Sequence, residues 1–151
     1  MMDPTAPAVL YAEDDPDDRL LAEMAHRDSG AVNPLVFVGD GVEALEYVRC
    51  TGRHADRAGA PQPRIILLDL NMPGMGGLEA LRIMRADSVL RRIPVVILTT
   101  SSAAEDITAS HDAGANSYVV KPSTFADLVD LFGRLCGDRF GSGCLGLETR
   151  P

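Results

Sequence analysis

The chain has 151 residues, 46% of them hydrophobic and 24% charged, with a formal net charge of -8 and a pI near 4.7. That length suits one domain with a sizeable core, and the composition is that of an ordinary globular protein. The acidic balance repels phosphate backbones and anionic lipid, which argues against direct nucleic-acid or membrane binding, and no apolar run approaches the roughly 20 residues that cross a bilayer.

The first residues lack the basic stretch and apolar core of a signal peptide. Cys50, Cys136 and Cys144 are odd in number and form no C-x-x-C pair, so reduced thiols in a cytoplasm are expected. His26, His54 and His111 lie too far apart to suggest a metal cluster.

Short apolar runs alternate with amphipathic stretches. Ala8 to Ala12 predicts a first strand. Asp15 followed by Pro16 suits an N-cap and first helical position, and Leu20, Leu21 and Met24 are spaced as the apolar stripe of the first helix. Asp17 and Asp18 then read as a solvated face favoured by the helix dipole. Leu35 to Val38 predicts a second strand. Asp40, with Glu43 three residues on, starts a helix whose inner face is Val42, Leu45 and Val48. Thr51 to Pro63, with its glycines, prolines and charges, reads as a surface loop.

Arg64 to Leu70 contains IILL, apolar on both faces as a central parallel strand requires. Gly76 and Gly77 lead into a helix carrying Leu78, Leu81 and Met84. Pro94 opens a fourth strand, VVIL. Ser102 and Glu105 have capping-box spacing for a helix ending near Gly114. Tyr118 to Val120 is a short fifth strand, and Phe125 to Cys136 the last helix. These assignments divide the chain into an extension (1–7), a folded domain (8–136) and a glycine-rich tail or arm (137–151) with no output domain.

Such alternation predicts an α/β fold with a parallel sheet and helices on both faces. In that architecture the carboxyl ends of the strands share one edge, where ligands bind. Glu13 and Asp14 follow the first strand, Asp69 closes the third, Thr99 the fourth and Lys121 the fifth, so these distant residues are expected to converge. Clustered carboxylates need a cation, and hard oxygen donors suit magnesium, which keeps waters to exchange for phosphate oxygens. Lys121 adds a positive charge and Thr99 a hydroxyl. Together they suit a phosphoryl group beside a nucleophilic carboxylate.

The segments LYAEDDP (Leu10 to Pro16), IILLDLNMPG (Ile65 to Gly74), IPVVILT (Ile93 to Thr99) and GANSYVVKP (Gly114 to Pro122) resemble, in order, the motifs of the receiver domain of two-component response regulators. The resemblance runs from about Val9 to Leu135. It implies a flavodoxin-like (CheY-like), doubly wound, five-stranded parallel sheet of order 2-1-3-4-5. It implies Asp69 as phosphoacceptor, and Mg2+, or Mn2+ in its place, held by Asp14, Asp69 and the backbone carbonyl of Asn71, with Glu13 acting through a water. Thr99 matches the switch hydroxyl, Tyr118 the aromatic residue that swings inward, and Lys121 the lysine that meets the phosphoryl group. The Lys121–Pro122 bond is expected to be cis.

Two positions depart from the family pattern. Thr100, followed by Ser101, stands where a small residue is usual, and its β-branch is expected to slow exchange of the phosphoryl group with water. Gly76 replaces a common aspartate and is expected to loosen its loop. Within the family, EDDP, the extended loop before the third strand and LTTS are similar to the stand-alone regulators paired with phytochrome-like sensor kinases. That similarity implies a histidine kinase donor, an unknown downstream protein and a homodimer. Two other classes compete: an aspartate-dependent phosphohydrolase and a docking or dimerisation module that needs no phosphorylation. The hydrolase signature requires a second aspartate as general acid two residues past the nucleophile, and Asn71 stands there.

Overall fold

The computed structural model describes residues 6–136; the glycine-rich tail and the start of the N-terminal extension lie outside the described residues. Five strands, β1 (Val9–Ala12), β2 (Leu35–Val38), β3 (Ile65–Leu68), β4 (Val95–Thr99) and β5 (Ser117–Val120), form one sheet of order β2-β1-β3-β4-β5. Every neighbouring pair is parallel. β1, β3 and β4 are buried at every residue, as continuous apolar strands covered on both faces must be.

Alternate side chains feed two cores. Leu10, Ala12, Ile66, Leu68, Val95 and Ile97 pack with helices α2 (Gly41–Arg49) and α3 (Gly77–Ala86), and Ile107 of α4 (Ala104–Asp112) joins the same core. Val9, Tyr11, Ile65, Leu67, Val96 and Leu98 pack instead with α1 (Pro16–Asp28) and α5 (Phe125–Leu135). Arg85 of α3 braces the far side, donating to the carbonyls of Ile93 and Gly114 at 2.9 Å each and to Asn116 Oδ1 at 2.9 Å. Those contacts fix the chain entering β4 and β5.

Several local expectations are corrected. In α1 the inward residues are Ala22, Ala25 and His26, whereas Leu20, Leu21 and Met24 are 57%, 47% and 42% exposed. Both sets have helical spacing; small side chains face inward because α1 packs against α5, where Phe132 meets His26 edge-on with ring centroids 5.7 Å apart. Val42 is likewise exposed, and Ala44, Leu45 and Val48 face inward. The stretch from Thr51 to Pro63 is the surface loop expected, mostly exposed, and it carries 3-10 turns at Gly52–Arg57 that fold back on α2, with Arg57 stacked 3.6 Å from the Tyr47 ring centroid and His54 2.9 Å from Glu43. At α4 the N-cap is Ala103, and Ser102 makes no capping box. Ser101 occupies that role in part, since its Oγ accepts from the Ala103 N–H and donates to Asp106. The Lys121–Pro122 bond is trans, the isomer of lower free energy even before proline.

Candidate functional site

Register brings the strand-end residues together. Ala12 pairs with Leu68, and the next N–H, that of Asp69, donates to the Ala12 carbonyl at 3.3 Å. Asp69 and Glu13 therefore leave the sheet side by side. Thr99 pairs with Val120, and the Lys121 N–H donates to the Thr99 carbonyl at 2.7 Å. Because β3 and β4 are neighbours, the two pairs face each other along one edge.

Lys121 closes the gap. Its Nζ lies 2.6 Å from Glu13 Oε1, 2.9 Å from Asp69 Oδ2 and 2.8 Å from Asp18 Oδ2. Burial works against the ammonium charge, but the hydrogen bonds to Asp18 and Glu13, then to Asp69, outweigh it and push Lys121 well above an ordinary lysine. Burial pushes Glu13 up, and the hydrogen bonds from Lys121 and the Asp15 N–H only partly reverse that. Tyr11, itself pushed up by burial, donates its hydroxyl to Glu13 Oε1 at 3.3 Å. Asp18, assigned from sequence to a solvated face, belongs to this network.

Asp69 is anchored on its other side. Its Oδ1 accepts from the Asn71 N–H at 3.1 Å, which turns the chain outward and leaves Asn71 exposed. Its backbone carbonyl accepts from the Gly77 N–H at 3.1 Å. A Cβ at Gly77 would stand 2.4 Å from that carbonyl oxygen, so glycine is what lets α3 begin against the Asp69 backbone. Gly76 has a packing reason too: a Cβ there would lie 2.9 Å from the Leu70 carbonyl oxygen.

Asp14 stands beside Glu13 at the rim and is exposed. Thr99 is fully buried, and the Ser101 N–H reaches its hydroxyl at 3.5 Å. Tyr118 is also fully buried, and its hydroxyl donates to the Ser101 carbonyl at 2.8 Å. Thr100, between them, is exposed. Glu13, Asp69 and Lys121 are thus in direct contact. Thr99 and Tyr118 are linked through Ser101, and Asp14 and Asn71 flank the group in sequence.

Among the described residues no three acidic, histidine or cysteine side chains gather into a ready metal cage. The donor chemistry nonetheless fits magnesium, which takes one or two carboxylates, completes its shell with water and does without an all-protein cage. An exposed aspartate at the rim next to a buried aspartate and glutamate is such a set.

A family profile for the response regulator receiver domain matches residues 9–132. The chain belongs to the response regulator receiver family. Response regulator Rcp1 of Synechocystis is 34% identical over 120 residues, which span 80% of each chain. A solved structure of its Mn2+-bound form superimposes with a TM-score of 0.75 at 30% identity, covering 97% of this receiver chain and 98% of that one. Response regulator RPA3017, from red light signaling of R. palustris, is 40% identical with a TM-score of 0.80, covering 86% and 91%. The phosphorylated cyanobacterial phytochrome response regulator RcpA is 36% identical with a TM-score of 0.75, covering 84% and 89%. The sheet order read from the receiver motifs is the one observed.

Proposed function

We propose that the domain at residues 8–136 accepts a phosphoryl group on Asp69 from a sensor histidine kinase and signals through protein contacts. The observation that carries this reading is the buried Asp69 carboxylate with Lys121 Nζ 2.9 Å from one oxygen and a backbone N–H on the other. Two fixed donors orient the nucleophile and provide positive charge where anionic charge arrives.

In the transfer, a carboxylate oxygen of Asp69 forms a bond to phosphorus while the bond from phosphorus to the kinase imidazole nitrogen breaks, its electron pair returning to that nitrogen. Asp14, Asp69, the Asn71 carbonyl and, through a water, Glu13 would hold Mg2+ or Mn2+, which when bound supplies charge that neutralises the phosphoryl oxygens. Lys121 stabilises the same oxygens from the β5 side. Thr99 donates its hydroxyl to the phosphoryl group, drawing on a segment that Tyr118 holds by the Ser101 carbonyl. Charge on Asp69 thereby reaches the surface around β4, α4 and β5 through Thr99, Ser101 and Tyr118.

The relatives named for phytochrome and red light signalling support a phytochrome-type kinase as donor. The reading also assigns a homodimer, a cytoplasmic location, no contact with nucleic acid or membrane, and an unidentified protein as target. No described helix is long and apolar enough to cross a membrane. An aspartate-dependent phosphohydrolase is disfavoured because Asn71, not an acid, sits two residues past Asp69.

Incubation with acetyl phosphate and Mg2+, followed by intact mass measurement, tests the reading. The parent should gain one phosphate, and Asp69→Asn or parent with chelator should gain none. Steady release of phosphate from phosphomonoesters, with no labelled protein, would favour the hydrolase instead.

A further inference from the structure

Asp18 contributes the third carboxylate on Lys121, and the role proposed for the site leaves it unused. An ammonium has three donors, and all three are engaged here, by Glu13, Asp18 and Asp69. The three acceptors differ in exposure. The side chains of Glu13 and Asp69 are 1% and 7% accessible, whereas that of Asp18 is 35% accessible. Asp18 also comes from a different part of the fold, the first turn of α1, and reaches the residue following β5.

A phosphoryl group on Asp69 brings further acceptor oxygens and a charge of about -1.5 to -2 into reach of Lys121. The ammonium can serve them only by releasing a present partner. Asp18 is the partner water can rehydrate most readily, since the other two carboxylates are buried.

Resting on the phosphoacceptor reading, we propose that Asp18 is a positioning residue that holds Lys121 in the resting state and competes with the phosphoryl group for it. Asp18 thereby sets how readily the site takes the group up. Removing its charge raises the free energy of the resting arrangement more than that of the phosphorylated one, in which Lys121 has a stronger partner.

The sequence offers a direct probe, because Lys121 is its only lysine. Acylation of the ε-amine by an N-hydroxysuccinimide ester, followed by peptide mass mapping, therefore reports on one residue without metal present. Asp18→Asn should label about fivefold faster than the parent, the scale of one half-exposed ion pair, and Asp17→Asn at the parent rate. Asp17 carries the same charge on the same helical turn and its side chain is exposed, so it controls for general electrostatics. In a second measurement, fluoroberyllate with Mg2+, titrated by fluorine NMR, stands in for the phosphoryl group. Asp18→Asn should bind it about fivefold more tightly than both the parent and Asp17→Asn.

Equal behaviour of the three proteins in either assay, or weaker fluoroberyllate binding by Asp18→Asn, overturns the proposal. A parent that binds no fluoroberyllate and takes no phosphate sinks the phosphoacceptor reading, and the competition with it. A parent that does both, with all three proteins alike, sinks the competition alone.

Discussion

Replacing Lys121 with methionine leaves Glu13, Asp18 and Asp69 facing one another without their shared cation. Each contact is between 2.6 and 2.9 Å. Two unit charges about 4 Å apart attract by roughly 4 kcal/mol at an effective dielectric near 20, and desolvation offsets much of that. Removing one member of a buried pair costs about 3–5 kcal/mol. The partial exposure of Asp18 and Lys121 lets water take up some of the loss, so metal-free Lys121→Met should lose about 2–3 kcal/mol, read from urea denaturation followed by circular dichroism. The loss has a signature beyond its size. Burial already raises Glu13 above its ordinary 4.5, and losing Lys121 raises it further. A group whose pKa is raised by folding stabilises most below its unfolded value and loses that contribution as pH rises through the folded one, so the penalty should shrink toward pH 4.5 and be full at neutral pH. Added Mg2+ should restore part of the stability, more than it adds to the parent, because it binds the folded state at Asp69 and Glu13, carboxylates that have lost their shared cation. A variant as stable as the parent, or a loss indifferent to both acid and Mg2+, would refute the reasoning.

Gly77→Ala should destabilise by about 2–3 kcal/mol, as overpacking against backbone does, and lower phosphate uptake from acetyl phosphate in the intact-mass assay. The clash falls on the Asp69 carbonyl itself. Burial lowers the pKa of His26, whose Nε2 finds no partner among the described residues. Stability should therefore hold above its unfolded value of 6.5 and decline as pH falls below it, and in His26→Met this part of the decline should vanish from the urea midpoints. Glu43 has a separate, more acidic window. Burial raises its pKa, but the Gly39 N–H, His54 and Arg53 outweigh that and hold it below 4.5, so its contribution is lost only as pH falls through that lower value. Thr100→Ala should shorten the lifetime of the acyl phosphate, followed by loss of the phosphorylated mass with time, if the exposed threonine shields it from water.

The strands were legible because burial on both faces leaves a plain mark: IILL and VVIL cannot be half-solvated strands. Their order was implied only by the resemblance of the motifs to receiver domains. Convergence of Glu13, Asp69, Thr99 and Lys121 followed from the rule that parallel strand ends share an edge. Helix faces were less legible. Leu20, Leu21 and Met24 satisfy helical spacing as well as Ala22, Ala25 and His26 do, and periodicity alone does not weigh which set is small enough to pack on α5. That error also hid Asp18. It lies one turn before Ala22 on the true inward face, so reading the alanines as inward points it at the strand ends, whereas reading the leucines as inward turns it to solvent. The capping box at Ser102 failed for a related reason: spacing identified candidates, but the neighbouring Ser101 made the side-chain contacts.

The central claim is that Asp69 is the residue that carries the phosphoryl group. Treating the protein with a phytochrome-type histidine kinase and ATP, then with tritiated borohydride, converts an aspartyl phosphate to labelled homoserine at the residue that bore it. Label confined to the position of Asp69, and absent without kinase, is the predicted result; label at another carboxylate, or none while the kinase itself is phosphorylated, would contradict the account.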